Sequence, residues 1–349
     1  MTFVLHRPVA RGAVALSLAL SLALVCGMGT AHAADRSAPA ITIHIDKLTL
    51  LDLASVGSSL IGVGERGVIA RSDDGGLTWS GRLSPSSRTL TAVTFLDAKV
   101  GVAVGHGGTI LRTEDAGQNW AVVPVKDIGR DAVLGVTALK NGQLVAFGAF
   151  GMYLVSQDQG KSWRRERVIA DDFERHISRV IEARDAMFLV GETGVIARSK
   201  DGGKEWAALK TPYEGSYFGI LEMKDGALLA FGMRGNIYRS ADQGSSWAKV
   251  PFGTKATING GSVAADGRVV LAGNRGLLAI SRDAGHSFAL MTAPEGTSIA
   301  QARLLGDGQL VYAGAMATGR LSAERLAKAA IPSAVVPPSA VTATATASK

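Results

Sequence analysis

One short phrase recurs six times along this chain and constrains nearly everything it can become. It reads Ser/Thr-x-Asp-x-Gly-x-x-Trp/Phe, with copies starting at Ser72, Thr113, Ser156, Ser199, Ser240 and Ser281. The acids are Asp74, Asp115, Asp158, Asp201, Asp242 and Asp283. The aromatics are Trp79, Trp120, Trp163, Trp206, Trp247 and Phe288, so the period is 41 to 43 residues. A fixed period of this size marks stacked or radially arranged units. A second signature, Gly-x-x-Gly followed by an apolar run, starts eight residues before each box, at Gly64, Gly105, Gly148, Gly191, Gly232 and Gly273. A seventh copy starts at Gly314, where Ala317 replaces the second glycine. The box due at Ser322 has Glu324 in place of Asp and Leu326 in place of Gly. The chain therefore has six full repeats and one degenerate one.

Each unit reads as four short strands. In the second they fall near 91–96, 99–105, 108–113 and 119–123, rich in Val, Ile, Leu and Thr and punctuated by Gly or Asp turns. No stretch of the repeat region keeps a helical period for long. The reading is all-β: a seven-bladed β-propeller of four-stranded antiparallel blades, whose radial repetition leaves only short, protected edges. The box is expected to build the hairpin between the third and fourth strands. Asp accepts backbone N–H groups and Gly supplies positive φ. The Trp starts the outer strand and buries its ring between sheets, its N–H needing one partner. Six separate turns cannot converge on one ion, so the Asp residues are read as structural, with no metal and no cofactor. The seventh unit lacks a convincing fourth strand. Residues 41–45 (Ile-Thr-Ile-His-Ile) alternate apolar and polar, so this N-terminal strand is predicted to complete the last blade and close the ring.

The box is the Asp-box, or bacterial neuraminidase repeat. Six boxes at this spacing, each preceded by Gly-x-x-Gly and an apolar strand, resemble the photosystem II assembly and stability factor family over about residues 51–319. The resemblance implies a seven-bladed propeller outside the cytoplasm or in the thylakoid lumen. It also implies a non-enzymatic scaffold holding a membrane-protein subunit during assembly. The box by itself does not choose a function, because sialidases, xyloglucanases and sortilin-type receptors also carry it. A WD-type propeller shares the period, but no Gly-His…Trp-Asp pattern occurs here.

Residues 1–33 read as a secretory signal: Arg7 and Arg11 precede an apolar core at 13–25, and Ala31-His32-Ala33 offers a small-x-small cleavage site. An uncleaved anchor is the alternative, opposed by an apolar core short of the roughly 20 residues a span needs. The single cysteine, Cys26, lies in this segment, so the mature chain has no disulfide or thiol chemistry. The expected location is periplasmic, lumenal or extracellular. Formal charge is +7 with the leader, and removing Arg7 and Arg11 lowers it by two. The basic excess points to acidic partners or anionic surfaces, and export argues against nucleic acid. The propeller is read over 34–320. Residues 321–349 read as a short helix at 321–330, stopped by Pro332, and a disordered Pro/Ala/Thr-rich tail.

A partner site is expected on the face carrying the Gly-x-x-Gly turns and the links between blades. The third position of the turn is read as Arg66, Gly107, Phe150, Thr193, Arg234, Arg275 and Ala317. In a closed ring, blade seven lies between six and one, so Arg66, Arg234 and Arg275 fall on one arc, which Arg88 extends. Arginine forks suit carboxylates, so the arc is read as docking an acidic segment of a membrane-protein partner, with the propeller itself a monomer. Solvated turn residues, with Glu65 blunting Arg66, are the opposing reading. A second basic group, Arg164, Arg165, Arg167, Arg175 and Arg179, is interleaved with Glu166, Asp171, Asp172 and Glu174. It reads as a mixed-charge outer strand and loop.

The function class from outside scaffolding is a secreted sialidase-like glycan hydrolase or a glycan-binding lectin. The Phe/Tyr-Arg-Ile-Pro segment of sialidases is absent. Tyr213 and Glu214 are adjacent, which in a strand points them to opposite faces. Glu192, Glu214 and Glu222 are read as surface groups. His44, His106, His176 and His286 lack ligand spacing.

Overall fold

Seven antiparallel sheets follow one another along the chain, and each is built from a single contiguous stretch. The structure is a computed structural model, describing residues 43–126, 128–170 and 172–329. The chain divides after Ile41, and every described residue belongs to the second unit, 42–349. The signal segment 1–33 and the tail 332–349 therefore lie outside the described residues.

The second unit shows the local logic. Its strands are Leu90–Phe95, Gly101–Gly105, Thr109–Thr113 and Ala121–Val122. The two middle strands are buried along their whole length or nearly so, and the outer one is exposed. Seven inner strands ring the axis: Leu50–Val56, Leu90–Phe95, Val133–Ala138, Ile177–Ala183, Tyr217–Glu222, Ile258–Val263 and Ile299–Leu304. Each carries a register shift after its first residue, bulging at Leu51, Thr91, Leu134, Ser178, Phe218, Asn259 and Ala300 in turn. A bulge bends a strand and re-aims a side chain. Here it lets polar residues reach the neighbouring blade: Thr91 Oγ1 donates to Val133 O at 2.6 Å, and Asn259 Nδ2 to Ile299 O at 2.9 Å.

The core is distributed as seven apolar clusters, one at each blade-to-blade interface. The seam between blades seven and one is the thinnest. Its buried residues are Ile45, Leu50, Leu53, Val68, Ala70 and Ala313, and blade seven gives only the alanine.

That seam is where the structure departs from expectation. Six blades are four-stranded, but the seventh has three strands among the described residues, Ile299–Leu304, Leu310–Gly314 and Ala317–Leu321. Of the predicted closing strand 41–45, Ile41 and Thr42 lie outside the described residues. Ile43 and His44 form no strand pairing among the described residues, and Ile45–Lys47 is a 3-10 turn. The N-terminal segment acts as a wedge instead. Ile43 and Ile45 cover Gly81 on the outer strand of blade one, where a Cβ would come within 2.7 Å of both side chains. Thr49 then forms a single antiparallel bridge to Ala315, and Leu48 O accepts from Met316 N at 3.2 Å. The fourth strand is lost for a chemical reason. Without Asp and Gly the decayed box cannot form its turn, and Ser322 caps a short helix, Ala323–Ala327, by accepting from Arg325 N at 3.2 Å.

The box hairpin is self-contained. In the first copy Ser72 Oγ donates to Asp74 Oδ1 at 2.8 Å and accepts from Gly76 N at 2.7 Å. Asp74 also accepts from Thr78 N and Thr78 Oγ1 at 2.9 and 2.6 Å. The contact from Ser or Thr to the aspartate and the backbone N–H to the aspartate recur in all six copies, while the side-chain donor at the place of Thr78 is absent from the fourth, where Glu205 stands. Hydrogen bonds from Ser162 and Ser246 hold Asp158 and Asp242 down to about 2, and hydrogen bonds from Thr78 hold Asp74 well below the usual carboxylate range. In three of the five tryptophan-bearing boxes the indole N–H finds the carbonyl of the box glycine. Trp120 donates to Gly117 O, Trp163 to Gly160 O and Trp206 to Gly203 O, at 3.1 to 3.2 Å.

Candidate docking face

Antiparallel strands put the turns between second and third strands on the same face as the links between blades. The structure joins them by hydrogen bonds. Gly108 N donates to Asp131 O, Gly151 N to Arg175 O and Gly194 N to Gly215 O, at 2.9 to 3.1 Å. The approach is close enough that a Cβ on Gly67 would collide with the Ser86 carbonyl, which explains the glycine at that place.

The residue before that glycine takes positive φ in every blade: Arg66 at 57°, Gly107 at 67°, Phe150 at 52°, Thr193 at 56°, Arg234 at 56°, Arg275 at 60° and Met316 at 49°. In blade seven the position belongs to Met316, one residue before the Ala317 read from the sequence, and Ala317 is buried. A left-handed backbone is costly for a long side chain. At this position the turn lifts the residue out of the sheet, and Arg66, Arg234 and Arg275 are all exposed.

Blade order places Arg234, Arg275, Met316 and Arg66 on successive blades five, six, seven and one. Arg88 extends the row. Its side chain lies across the Gly107 turn, where a Cβ would meet Arg88 Nε at 3.4 Å, so the glycine of blade two leaves room for an arginine supplied by the link. None of these four arginines forms an ion pair among the described residues, and Arg66 is not blunted by Glu65, whose Oε1 accepts from Thr49 N at 3.1 Å. Several arginines elsewhere are matched: Arg71 with Asp73, Arg112 with Glu114, Arg239 with Asp225, Arg268 with Asp266. A cavity of about 500 Å³ opens beside the arc, bounded by Arg275, Lys255, Thr257, Asn274 and Met291.

The other half of the face is different in kind. Phe150 is 52% exposed and meets the His176 ring edge-on at 5.1 Å. A cup of about 440 Å³ lies beside it at the mouth of the axial channel, lined by Leu134, His176, Ser178, Glu192, Ser216, Phe218 and Asn259.

The second basic group divides on the structure. Arg164 and Arg165 form a two-residue outer strand, with Arg164 paired to Glu166 at 2.6 Å, and Arg175 sits in the link, as expected. Arg179 does not belong there. It stands on the inner strand Ile177–Ala183 and lines the axial channel. The bulge sets its direction, and a bulge has no signature in one copy of the repeat. The Tyr213–Glu214 pair does not converge: Tyr213 OH donates to Met233 O at 3.3 Å and its ring packs with Tyr217 and Tyr238, while Glu214 is exposed.

A ring of arginines passed over in the sequence works on the opposite face. The third strands of blades one, two, four and five each carry an arginine directly before the box. Arg71 donates to Ala116 O at 2.8 Å, Arg112 to Gln159 O at 2.7 Å, Arg198 to Gln243 O at 3.0 Å and Arg239 to Ala284 O at 3.1 Å. Each ties its blade to the positive-φ residue of the next box. The repeated Arg-Ser/Thr dipeptide was the available signal.

Residues 136–288 match the family model described as photosynthesis system II assembly factor YCF48. The chain resembles the YCF48 assembly-factor family. No curated protein matches it. A structure titled "YCF48 bound to D1 peptide" superposes with a TM-score of 0.64 at 20% identity, covering 78% of this chain and 92% of that one. YCF48 from Cyanidioschyzon merolae gives 0.62 at 17% identity, covering 77% and 93%. A streptogramin B lyase gives 0.65 at 14% identity, covering 80% and 95%. These structures share the fold with this chain. The lyase shows that the same ring also carries enzymes, so the YCF48 likeness and the face itself, rather than the ring, bear on function.

Proposed function

We propose that this chain is an exported, non-enzymatic scaffold that docks an acidic segment of a membrane-protein partner across the arginine arc during assembly or stabilisation of that partner. The observation that carries the reading is the arc itself: Arg234, Arg275, Arg66 and Arg88 follow one another around one face, and none has an acidic partner among the described residues. Guanidinium forks bind carboxylates bidentately, and arginine is enriched at interfaces. The likeness to YCF48, one structure of which holds a D1 peptide, supports a peptide as the ligand. Export rests on the leader at 1–33, and it sets the partner in the periplasm or a lumen.

The test is capture of a fluorescent peptide with three or more Asp or Glu residues by the full chain and by an R66E/R234E/R275E variant. The reading expects binding by the parent and a loss of at least tenfold in the variant with its fold intact. Equal capture by both removes it.

A further inference from the structure

The inner strands leave one charge without a counter-charge. Asp52, Arg179 and Gln301 stand at the third position of their strands, where the other four blades carry Ala or Gly. All three line a cavity of about 110 Å³ on the axis, touched by every inner strand. Asp52 is buried and already engaged. Its Oδ1 accepts from Leu53 N at 2.8 Å, its Oδ2 from Val93 N at 3.0 Å, and Gln301 Nε2 approaches at 3.5 Å. Arg303 gives Nε to Leu53 O at 2.7 Å. Its guanidinium sits deep: burial disfavours its charge, Asp52 restores part of it, and the charge of Arg179 opposes it. Arg179 itself makes no hydrogen bond or ion pair among the described residues. The next acids along these strands are committed elsewhere, Glu182 to Lys140 N at 2.7 Å and Glu222 to Arg184 at 4.0 Å. Two guanidiniums on half-buried residues thus face the axis with one buried carboxylate whose oxygens serve the backbone. Charges inside proteins are matched, because an unmatched one is costly to desolvate.

We infer that the axial cavity is a binding site for a small oxyanion, gripped by the Arg179 fork with Arg303 behind it. The volume equals roughly three to four water molecules at liquid density, which suits a carboxylate, sulfate or phosphate group. A planar fork with several N–H donors is matched to those oxygens. Access is from the docking face, since the cup at the channel mouth shares Leu134, Ser178, Phe218 and Asn259 with the axial cavity. The group is either a free oxyanion or a carboxylate reaching in from a bound partner.

Calorimetric titration of phosphate and of acetate into the full chain, at constant ionic strength, tests this. One saturable site is expected in the parent, at least tenfold weaker in R179Q and partly retained in R179K. The R66E/R234E/R275E variant keeps the phosphate site, so failure here is distinct from failure of the docking reading. If R179Q does not fold, the parent titration and R179K still decide. Absence of saturable binding in the parent, or undiminished binding in a folded R179Q, overturns the inference. Displacement of phosphate by the acidic peptide assigns the site to a partner carboxylate, and simultaneous binding assigns it to the free oxyanion; both support it.

Discussion

Arg303 Nε donates to Leu53 O at 2.7 Å across 250 residues of sequence. The contact is one of a series. Thr137 Oγ1 donates to Val180 O at 2.7 Å and Ser262 Oγ to Ala302 O at 2.8 Å. In each case the fifth residue of one inner strand reaches the carbonyl of the fourth residue on the next. The seam between blades seven and one therefore carries the same stitch as two of the interior interfaces.

Arg303→Met removes that stitch and a charge-assisted hydrogen bond, leaving the Leu53 carbonyl without this donor. The expected loss is about 2 kcal/mol, read from the midpoint shift in urea denaturation. Thr137→Val, at an interior interface, is expected to cost about 1 kcal/mol. A neutral Arg303→Met shows that closure rests elsewhere.

Ile45→Ala tests the wedge. Ile45 is buried in the seam with the fewest apolar neighbours, and truncation of a buried isoleucine costs about 2–5 kcal/mol. Thermal melting is expected to fall accordingly. A change under about 0.5 kcal/mol would show that the N-terminal segment merely rests on the ring.

Two tryptophans separate packing from hydrogen bonding. Trp206 donates its Nε1 to Gly203 O at 3.1 Å, whereas the buried Nε1 of Trp247 has no partner. Trp206→Phe is expected to cost about 1 kcal/mol more than Trp247→Phe, in equilibrium denaturation. Equal costs would mean that the indole hydrogen bond adds nothing.

The box aspartates set an acid limit. Asp158 and Asp242 lie near 2 in the fold, below the roughly 3.9 of an unfolded chain. A depressed carboxylate stabilises the fold fully above its unfolded value, and the contribution fades as pH falls through its folded value. Melting temperature should hold down to about pH 4 and drop between about pH 4 and 2. Asp242→Asn should lower the plateau and flatten the drop. A melting temperature independent of pH over that window contradicts the assignment.

The blades were legible because their chemistry repeats. Ser-x-Asp-x-Gly fixes a turn whose partners all lie within five residues, so Asp74 and Ser72 could be read without a neighbour in view. The three-arginine arc was legible once the ring was closed on paper, since Arg275 and Arg66 are neighbours only across blade seven. The closing device was not legible. Residues 41–45 have the alternation of a strand, yet Ile43 and Ile45 pack against the bare backbone of Gly81 beside the thin seam at Ala313. Arg179 was misplaced because its local charge pattern matches a surface loop, and the bulge that turns it toward the axis depends on the partner strand. Arg71 and its equivalents were missed because their acceptors sit 45 to 47 residues away, on the next blade.

If the arginine arc is the docking site, position on the face, and not the basic charge of the whole chain, selects the partner. The direct measurement compares two variants of equal net charge for affinity toward one acidic peptide. One reverses Arg66, Arg234 and Arg275 to Glu; the other reverses the exposed Lys99, Lys140 and Lys200, which lie in turns of the opposite face. The account predicts at least a tenfold loss for the first and less than a twofold change for the second. Equal losses in the two would contradict it.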